Sequence, residues 1–408
     1  MIDNKFPKNF LWGAATSSYQ VEGNNSFCDW WDWELKEKLE FHSGIACNHY
    51  ELYKEDFNLA KELGHNCHRF SIEWSRIEKE EGIFDEQELN HYRDVVRALR
   101  ERNLEPVVTL HHFTNPKWLL EKGGWENPKA VNYFLRYVEK VVAYLTSEVT
   151  YWVTINEPMV FVYNSYLLGI WPPQKKSFSH SMRVMKNLIK AHNKAFSLIH
   201  KIYKDKLLAK PRVGIAKNTR LFMPCTYKNY LLNKLAARFR DNFFNRIFLD
   251  AIKNHSDFIG VNYYTRDIVI VKNLSLNAFW ANNCPDSHHN ITWRNSLGWE
   301  IYPEGILDCL VSLKKYNLPI LITENGSCQE KDENYFRFIY EHLKYVKKAI
   351  DLGVPVIGYI YWSLMDNFEW DKGFGARFGL VEIDYTSLKR IIRKSAWDFS
   401  TICKNNSL

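Results

Sequence analysis

Eight short apolar runs, rich in β-branched and aromatic residues, recur along the 408 residues, each followed by a stretch with room for a helix. They span Phe10–Thr16, His68–Trp74, Pro106–Phe113, Trp152–Asn156, Val213–Asn218, Phe258–Tyr264, Ile320–Thr323 and Val356–Trp362. Amphipathic segments lie between them, among them Tyr50–Leu63, Glu88–Arg102, Ala130–Thr146, Ser181–Tyr203, Glu304–Lys315 and Tyr335–Leu352. The last ends at Gly353 with Pro355 two residues on, which is a helix stop. Eight alternating units without a Pro/Gly/Ser-rich linker predict an α/β chain closed into a single (β/α)8 barrel, one domain over 1–408. A doubly wound sheet is disfavoured. The only Gly-rich candidate, Gly373-x-Gly375-x-x-x-Gly379, lies near the C-terminus with the wrong spacing.

Such a barrel places its chemistry at the C-terminal ends of its strands, so the residues there carry the functional reading. Two ends stand out. Thr154-Ile-Asn-Glu-Pro158 and Ile322-Thr-Glu-Asn-Gly326 each finish a buried, β-branched run with a carboxylate beside an amide and a turn residue. The fourth and seventh strands lie roughly across the mouth from each other, so Glu157 and Glu324 face one substrate. Paired carboxylates are what hydrolysis of a glycosidic bond requires. A gap of about 5–5.5 Å retains anomeric configuration, and one of about 6.5–9.5 Å admits a water and inverts it. One carboxyl must hold its proton near neutral pH, which burial and a nearby negative charge favour. The other must stay ionised, and Arg69 and Tyr264 on neighbouring strand ends are the candidates to support it.

Other chemistries fit less well. Neighbouring residues on a strand point to opposite faces, so His111 and His112 do not form a metal pair; one packs outward and the other lines the mouth. No third ligand accompanies them, and the nucleophile elbow of a Ser/His/Asp hydrolase does not occur; because an acid and a nucleophile supply the chemistry, neither a metal nor a cofactor is expected. The net charge of +7 is spread among acidic residues, with no long basic run or nucleic-acid reader motif. No run is long enough for a membrane span. Phe10–Ala15 reads as a first strand rather than a leader core. The eight cysteines show no paired spacing and read as buried thiols of a reducing compartment, which places the protein in the cytoplasm. The 15 tryptophans would ordinarily fill core, but many sit at predicted strand ends, where flat apolar faces suit sugars.

Longer motifs bear the same reading. They are Phe10-Leu-Trp-Gly-Ala-Ala-Thr-Ser-Ser-Tyr-Gln-Val-Glu-Gly23, Arg69-Phe-Ser-Ile-Glu-Trp-Ser-Arg-Ile77 and Trp152-Val-Thr-Ile-Asn-Glu-Pro158, then Ile259-Gly-Val-Asn-Tyr-Tyr-Thr265, Ile322-Thr-Glu-Asn-Gly326 and Trp362-Ser-Leu-Met-Asp-Asn-Phe-Glu-Trp370. With these the chain resembles glycoside hydrolase family 1, the β-glucosidase/β-galactosidase family, across nearly its whole length. The resemblance implies a retaining mechanism with Glu157 as acid/base and Glu324 as nucleophile. It implies that Asn156 bonds the sugar 2-hydroxyl and that Arg69 and Tyr264 hold Glu324. Gln20, His112, Glu369 and Trp370 match positions that hydrogen-bond the nonreducing sugar, Trp362 its apolar floor, and Trp299 the platform for the leaving group. Trp74 and Trp152 read as core packing.

The family's branches differ at identifiable positions. Glu157 is intact, unlike in the plant thioglucosidases, which carry Gln there. Glu369-Trp370 stands where phospho-glycosidases carry a phosphate-binding loop, and a carboxylate there repels a sugar phosphate. Phe113 stands where many members have Trp. The segment before the sixth strand is shortened, with Phe244–Asp250 running almost directly into it. The expected activity is cleavage of terminal β-linked glucose from small β-glucosides and cello-oligosaccharides, with β-galactoside or β-fucoside cleavage and transglycosylation alongside. Dedicated β-galactosidase or β-mannosidase activity is the alternative within the family. A catalytically silent glycan-binding module on the same barrel is the alternative outside it. Neither nucleic acid nor membrane is an expected partner.

Overall fold

The computed structural model describes residues 4–37, 39–272, 283–284, 289 and 291–408. Its strands are β1 (Leu11–Ala15), β2 (Cys67–Ser71), β3 (Glu105–Thr109), β4 (Tyr151–Asn156), β5 (Arg212–Asn218), β6 (Leu221–Pro224), β7 (Phe258–Asn262), β8 (Arg266–Val269), β9 (Ile320–Asn325), β10 (Val356–Trp362), β11 (Val381–Asp384) and β12 (Lys389–Ile392). Eight of them close into a parallel barrel in the order β1-β10-β9-β7-β5-β4-β3-β2, with helices outside. This is the predicted (β/α)8 architecture, and all eight expected strands are the barrel strands.

Alternation along each strand separates two cores. Cys67, Val107, Val153, Ala216, Phe258 and Leu321 belong to a small cluster that fills the barrel. Their strand neighbours join the larger cluster between sheet and helices. Space inside the barrel is tight enough to require glycine at position 214, where a Cβ would sit 2.8 Å from the Phe258 ring. The outer layer follows from helical periodicity. Helix Ala130–Leu145 buries Val131, Phe134, Val138, Val141, Val142 and Leu145 at three- and four-residue spacing. Each such aliphatic or aromatic side chain contributes roughly 1.5–3 kcal/mol when fully buried. Helix Glu86–Glu101 is started by Asp85, whose carboxylate accepts from the amides of Gln87 and Glu88, a cap contributing about 1 kcal/mol.

The second and third strands stop short of the expected ends. Trp74 does not finish β2 but opens a short helix, Trp74–Ile77, capped by Glu73. Its indole stacks on Tyr137 at 5.2 Å and is buried, the packing role expected of it. Phe113 lies beyond β3 in a left-handed conformation, φ 72°. At both places the chain leaves the sheet to build the mouth. Two small sheets there, β6 with β8 and β11 with β12, carry no periodicity long enough to read in advance.

The cysteine reading is corrected in part. Cys225, just after β6, and Cys284, 59 positions further on, are joined as a disulfide, although their sequence spacing gives no sign of it. The other six cysteines are free and buried, as expected.

Candidate active site

The two glutamates sit at the tips of β4 and β9, in differently built surroundings. Glu157 follows the last residue of β4, where the backbone turns left-handed (φ 41°, ψ 55°) before Pro158 opens a helical turn. That conformation costs a non-glycine residue on the order of 1 kcal/mol, and such strain gathers at functional sites. The Glu157 amide is anchored on the Ala216 carbonyl of β5 at 2.7 Å. Its carboxylate Oε1 accepts from the amides of Asn218 and Asn262, both at 2.9 Å. Burial, then the charge of Glu324, pushes the Glu157 carboxyl up to about 7.

Glu324 has ionic support instead. Arg69 donates to its Oε1 at 2.5 Å, and the Tyr264 hydroxyl donates to its Oε2 at 2.6 Å. Arg69 is 1% exposed, and each of its three nitrogens donates a hydrogen bond. Beyond Glu324 they reach the Thr109 hydroxyl, the Thr323 carbonyl and the Asn156 side-chain oxygen. A guanidinium held through all three nitrogens is fixed in place, and it fixes the carboxylate with it. Burial and the Glu324 charge hold the Tyr264 phenol well above its usual range, so it remains a donor.

The two carboxylates share one hydrogen-bonded frame. Asn262 donates both to Glu157 and to Asn156, and Asn156 in turn accepts from Arg69. Thr323, beside Glu324 on β9, donates to the Asn262 side-chain oxygen at 2.6 Å. The relative position of the glutamates is therefore set by four side chains, Arg69, Asn156, Asn262 and Thr323, carried by four strands.

Away from this pair the cleft is aromatic and amide-lined. Gln20 donates to Glu369 at 3.0 Å and accepts from Ser17. Burial and the Glu324 charge push the Glu369 carboxyl up to about 8. His112 lies nearly parallel to Trp362 and Trp370, with ring centroids 5.9 and 6.1 Å apart, and its Nε2 meets the Asn156 amide at 3.1 Å. Burial and the Arg69 charge keep it neutral. His111 points the other way, against Trp125 and Phe134 outside the sheet, as alternation predicts. Trp299 stands half-exposed at the rim, edge-on to Tyr264.

All the sequence-predicted site residues except Arg69 line one cleft, and Arg69 lies directly beneath it. The sequence reading missed Asn218 and Asn262 as partners of Glu157, and missed Trp171, Arg220 and Phe378 in the wall. Asn218 and Asn262 are the last residues of β5 and β7, so the strand-end rule brings both to the mouth, Asn262 among the residues suited to sugar recognition, but it does not show their bonds to Glu157. Among the described residues the only trio able to hold a metal is Cys225, Cys284 and His289, away from this cleft, with both sulfurs in the disulfide.

Comparison with known proteins gives the same picture. The β-glycosidase of Pyrococcus horikoshii superimposes with a TM-score of 0.93 at 42% identity, covering 100% of this chain and 96% of that one. The 1,4-β-D-glucan glucohydrolase of Thermotoga neapolitana is 32% identical over 456 residues, 99% of each chain. The β-galactosidase of Pyrococcus woesei is 31% identical over 500 aligned positions, covering 99% of this chain and 98% of the other. The model of glycosyl hydrolase family 1 matches residues 2–253 and 222–408. A closed barrel, two strand-end glutamates in one frame and a family match along the whole chain agree: this protein belongs to glycosyl hydrolase family 1.

Proposed function

We propose that the chain is one catalytic unit that hydrolyses terminal β-D-glucosyl residues with retention of configuration, through a covalent glycosyl-enzyme on Glu324. The observation that carries this is the unequal environment of two carboxyls in a single frame. Glu324, facing Arg69 and Tyr264, attacks the anomeric carbon while Glu157, protonated near neutral pH, gives its proton to the leaving oxygen. Water then enters, Glu157 takes its proton as base, and the bond to Glu324 breaks. Capture of the intermediate by a sugar or alcohol gives transglycosylation.

Substrate contacts follow from the lining. Asn156 holds the 2-hydroxyl, and Trp362 forms the apolar floor. Gln20, His112, Glu369 and Trp370 take the remaining hydroxyls. His112 accepts through Nε2 from Asn156, which leaves Nδ1, without a protein partner, to donate to the sugar. Trp299 carries the leaving group. Glu369 can serve either epimer at the 4-hydroxyl, which supports β-galactoside cleavage as a side activity, as does the Pyrococcus woesei relative. In the free cleft Glu369 holds its proton below about pH 8, so its repulsion of a sugar phosphate acts mainly above that pH.

Both glutamates are present and in register, which counts against a silent glycan-binding module. No described helix is long and apolar enough to cross a membrane. A cytoplasmic location rests on the six free cysteines alone, since the Cys225–Cys284 bridge removes the argument from an all-thiol chain.

The test is hydrolysis of p-nitrophenyl β-glucoside, galactoside, fucoside, mannoside and 6-phosphoglucoside by wild type and Glu324→Ala. The glucoside is expected to be cleaved fastest, with loss of about 10⁵-fold or more in the variant. A folded wild type that cleaves none of them overturns the reading.

A further inference from the structure

Behind the acid/base glutamate lies a buried ammonium that the mechanism above does not use. Ala216 belongs to the barrel interior, so alternation turns Lys217 outward and Asn218 back into the mouth. Lys217 is 0% exposed. Its Nζ donates to the carbonyl of Asn218 and lies 4.4 Å from the centroid of the Phe244 ring. Among the described residues no carboxylate comes within ion-pair distance of it.

A lysine in this position is costly, because burial disfavours a charge and no carboxylate is in direct contact with it. Hydrophobic residues fill the corresponding outward positions of β4 and β7, with Ile155 before Asn156 and Val261 before Asn262. Lys217 departs from that pattern at the strand adjoining Glu157. β4 and β5 are paired with Asn156 beside Ala216, and the Glu157 amide bonds the Ala216 carbonyl, so Glu157 rests against the Ala216–Lys217 peptide.

We propose that Lys217 is a positioning residue for the acid/base: it ties down the strand end that presents Asn218 to Glu157, and its cation stabilises the Glu157 carboxylate formed when the leaving group takes the proton. The proposal rests on the assignment of Glu157 as acid/base. The groups facing each partner support it. Lys217 feels the charge of Glu157 at the end of β4, of Arg220 in the loop after β5 and of Asp241 at the end of helix Tyr230–Asp241, with the Cys309 thiol of helix Glu304–Leu313 also within electrostatic range. Glu157 accepts from Asn218 and Asn262 and feels the charges of Glu324 and Lys217. Burial holds Lys217 down to about 7, partly offset by the Glu157 charge. Two groups of opposite charge type thus titrate in the same range and favour each other's ionised form. Without Lys217, Glu157 keeps its proton to higher pH. It is then a weaker acid in the first step and a less ionised base in the second.

The test is the pH profile of kcat/KM for phenyl β-glucoside, whose poor leaving group needs the acid, in wild type, Lys217→Met and Lys217→Arg. The descending limb reports loss of the Glu157 proton. Lys217→Met is expected to move that limb up by about 0.5–1 pH unit. Lys217→Arg, which keeps the charge at all working pH values, is expected to leave it at or below the wild-type position. A 2,4-dinitrophenyl β-glucoside, which needs no acid, supplies the second readout. Its kcat reports the base step, and its ascending limb is expected to rise in Lys217→Met. Folded Lys217→Met with both limbs at the wild-type pH overturns the proposal, even if its rate is lower. So does a limb that moves equally in Lys217→Met and Lys217→Arg, since that is the mark of altered packing alone. Failure of wild type to cleave either glucoside is a different result, because it removes the functional reading beneath the proposal.

Discussion

Glu157 and Glu324 share a cleft, a network and a depth of burial, yet their immediate partners differ in kind. Glu324 faces a guanidinium and a phenol, both fixed donors, and one of them carries full positive charge. Glu157 faces two carboxamides, with its nearest cation behind the strand rather than against the oxygens. A direct ion pair suits a group that must attack as an anion. Neutral donors and burial suit a group that must hold a proton near neutrality and release it. On the proposed mechanism, identical side chains thus receive opposite tasks from the neighbours that three strands supply.

The sharpest way to break the contrast is to remove the proton donor. Glu157→Ala should lower kcat/KM for phenyl β-glucoside by about 10³-fold, yet lower it far less for the 2,4-dinitrophenyl glucoside, whose leaving group needs no proton. Added azide should restore turnover and give the β-glucosyl azide, because a small anion fits where the carboxyl stood and needs no base. Equal losses for both substrates would deny Glu157 the acid role.

Disturbing the other side should have a different signature. Arg69→Met removes the ion pair to Glu324 and leaves that buried carboxylate with Tyr264 as its remaining side-chain donor. Breaking a buried pair from one side costs about 3–5 kcal/mol, so thermal unfolding should show a clear drop in Tm. Activity should fall by about 10²-fold for activated and unactivated substrates alike. Lysine should not rescue, since one ammonium cannot serve Thr109, Thr323, Asn156 and Glu324 together. Selective loss on poor leaving groups would contradict the division of roles.

The smallest effect is expected at Asn218. Its amide favours the Glu157 carboxylate, so Asn218→Ala should raise the Glu157 pKa further above its present value of about 7. Activity that needs the protonated acid is lost as pH rises through that pKa. The descending limb should therefore move to higher pH, by about 0.5 unit. A downward shift would reverse the assigned direction of the hydrogen bond's effect.

Much of this could be read from the sequence because it is local. Eight β-branched runs with turn residues after them located every barrel strand, and the strand-end rule then brought Glu157, Glu324, His112 and Tyr264 together. What stayed hidden depends on contacts distant along the chain or on ambiguous local signals. Nothing local distinguishes Asn218 from any polar residue closing a strand; its meaning comes from Glu157, 61 positions earlier. Lys217 looks like a surface lysine until the helix carrying Phe244 covers it. The pairing of β6 with β8 and the Cys225–Cys284 bridge both join segments separated by more than forty residues, so neither spacing nor periodicity announces them. Trp74 was placed at a strand end because an apolar run of that length fits either state, and the Glu73 cap decided for helix.

The central claim is that Glu324 forms the covalent bond and Glu157 does not. Incubation with 2,4-dinitrophenyl 2-deoxy-2-fluoro-β-glucoside, followed by intact-mass and peptide-mass analysis, tests it directly. The 2-fluorine slows both steps, and the good leaving group lets the first outrun the second, so the glycosyl-enzyme accumulates. The account predicts a single added fluoroglucosyl group on the peptide containing Glu324. An adduct on the Glu157 peptide, or stoichiometric release of dinitrophenol without any adduct, would contradict it.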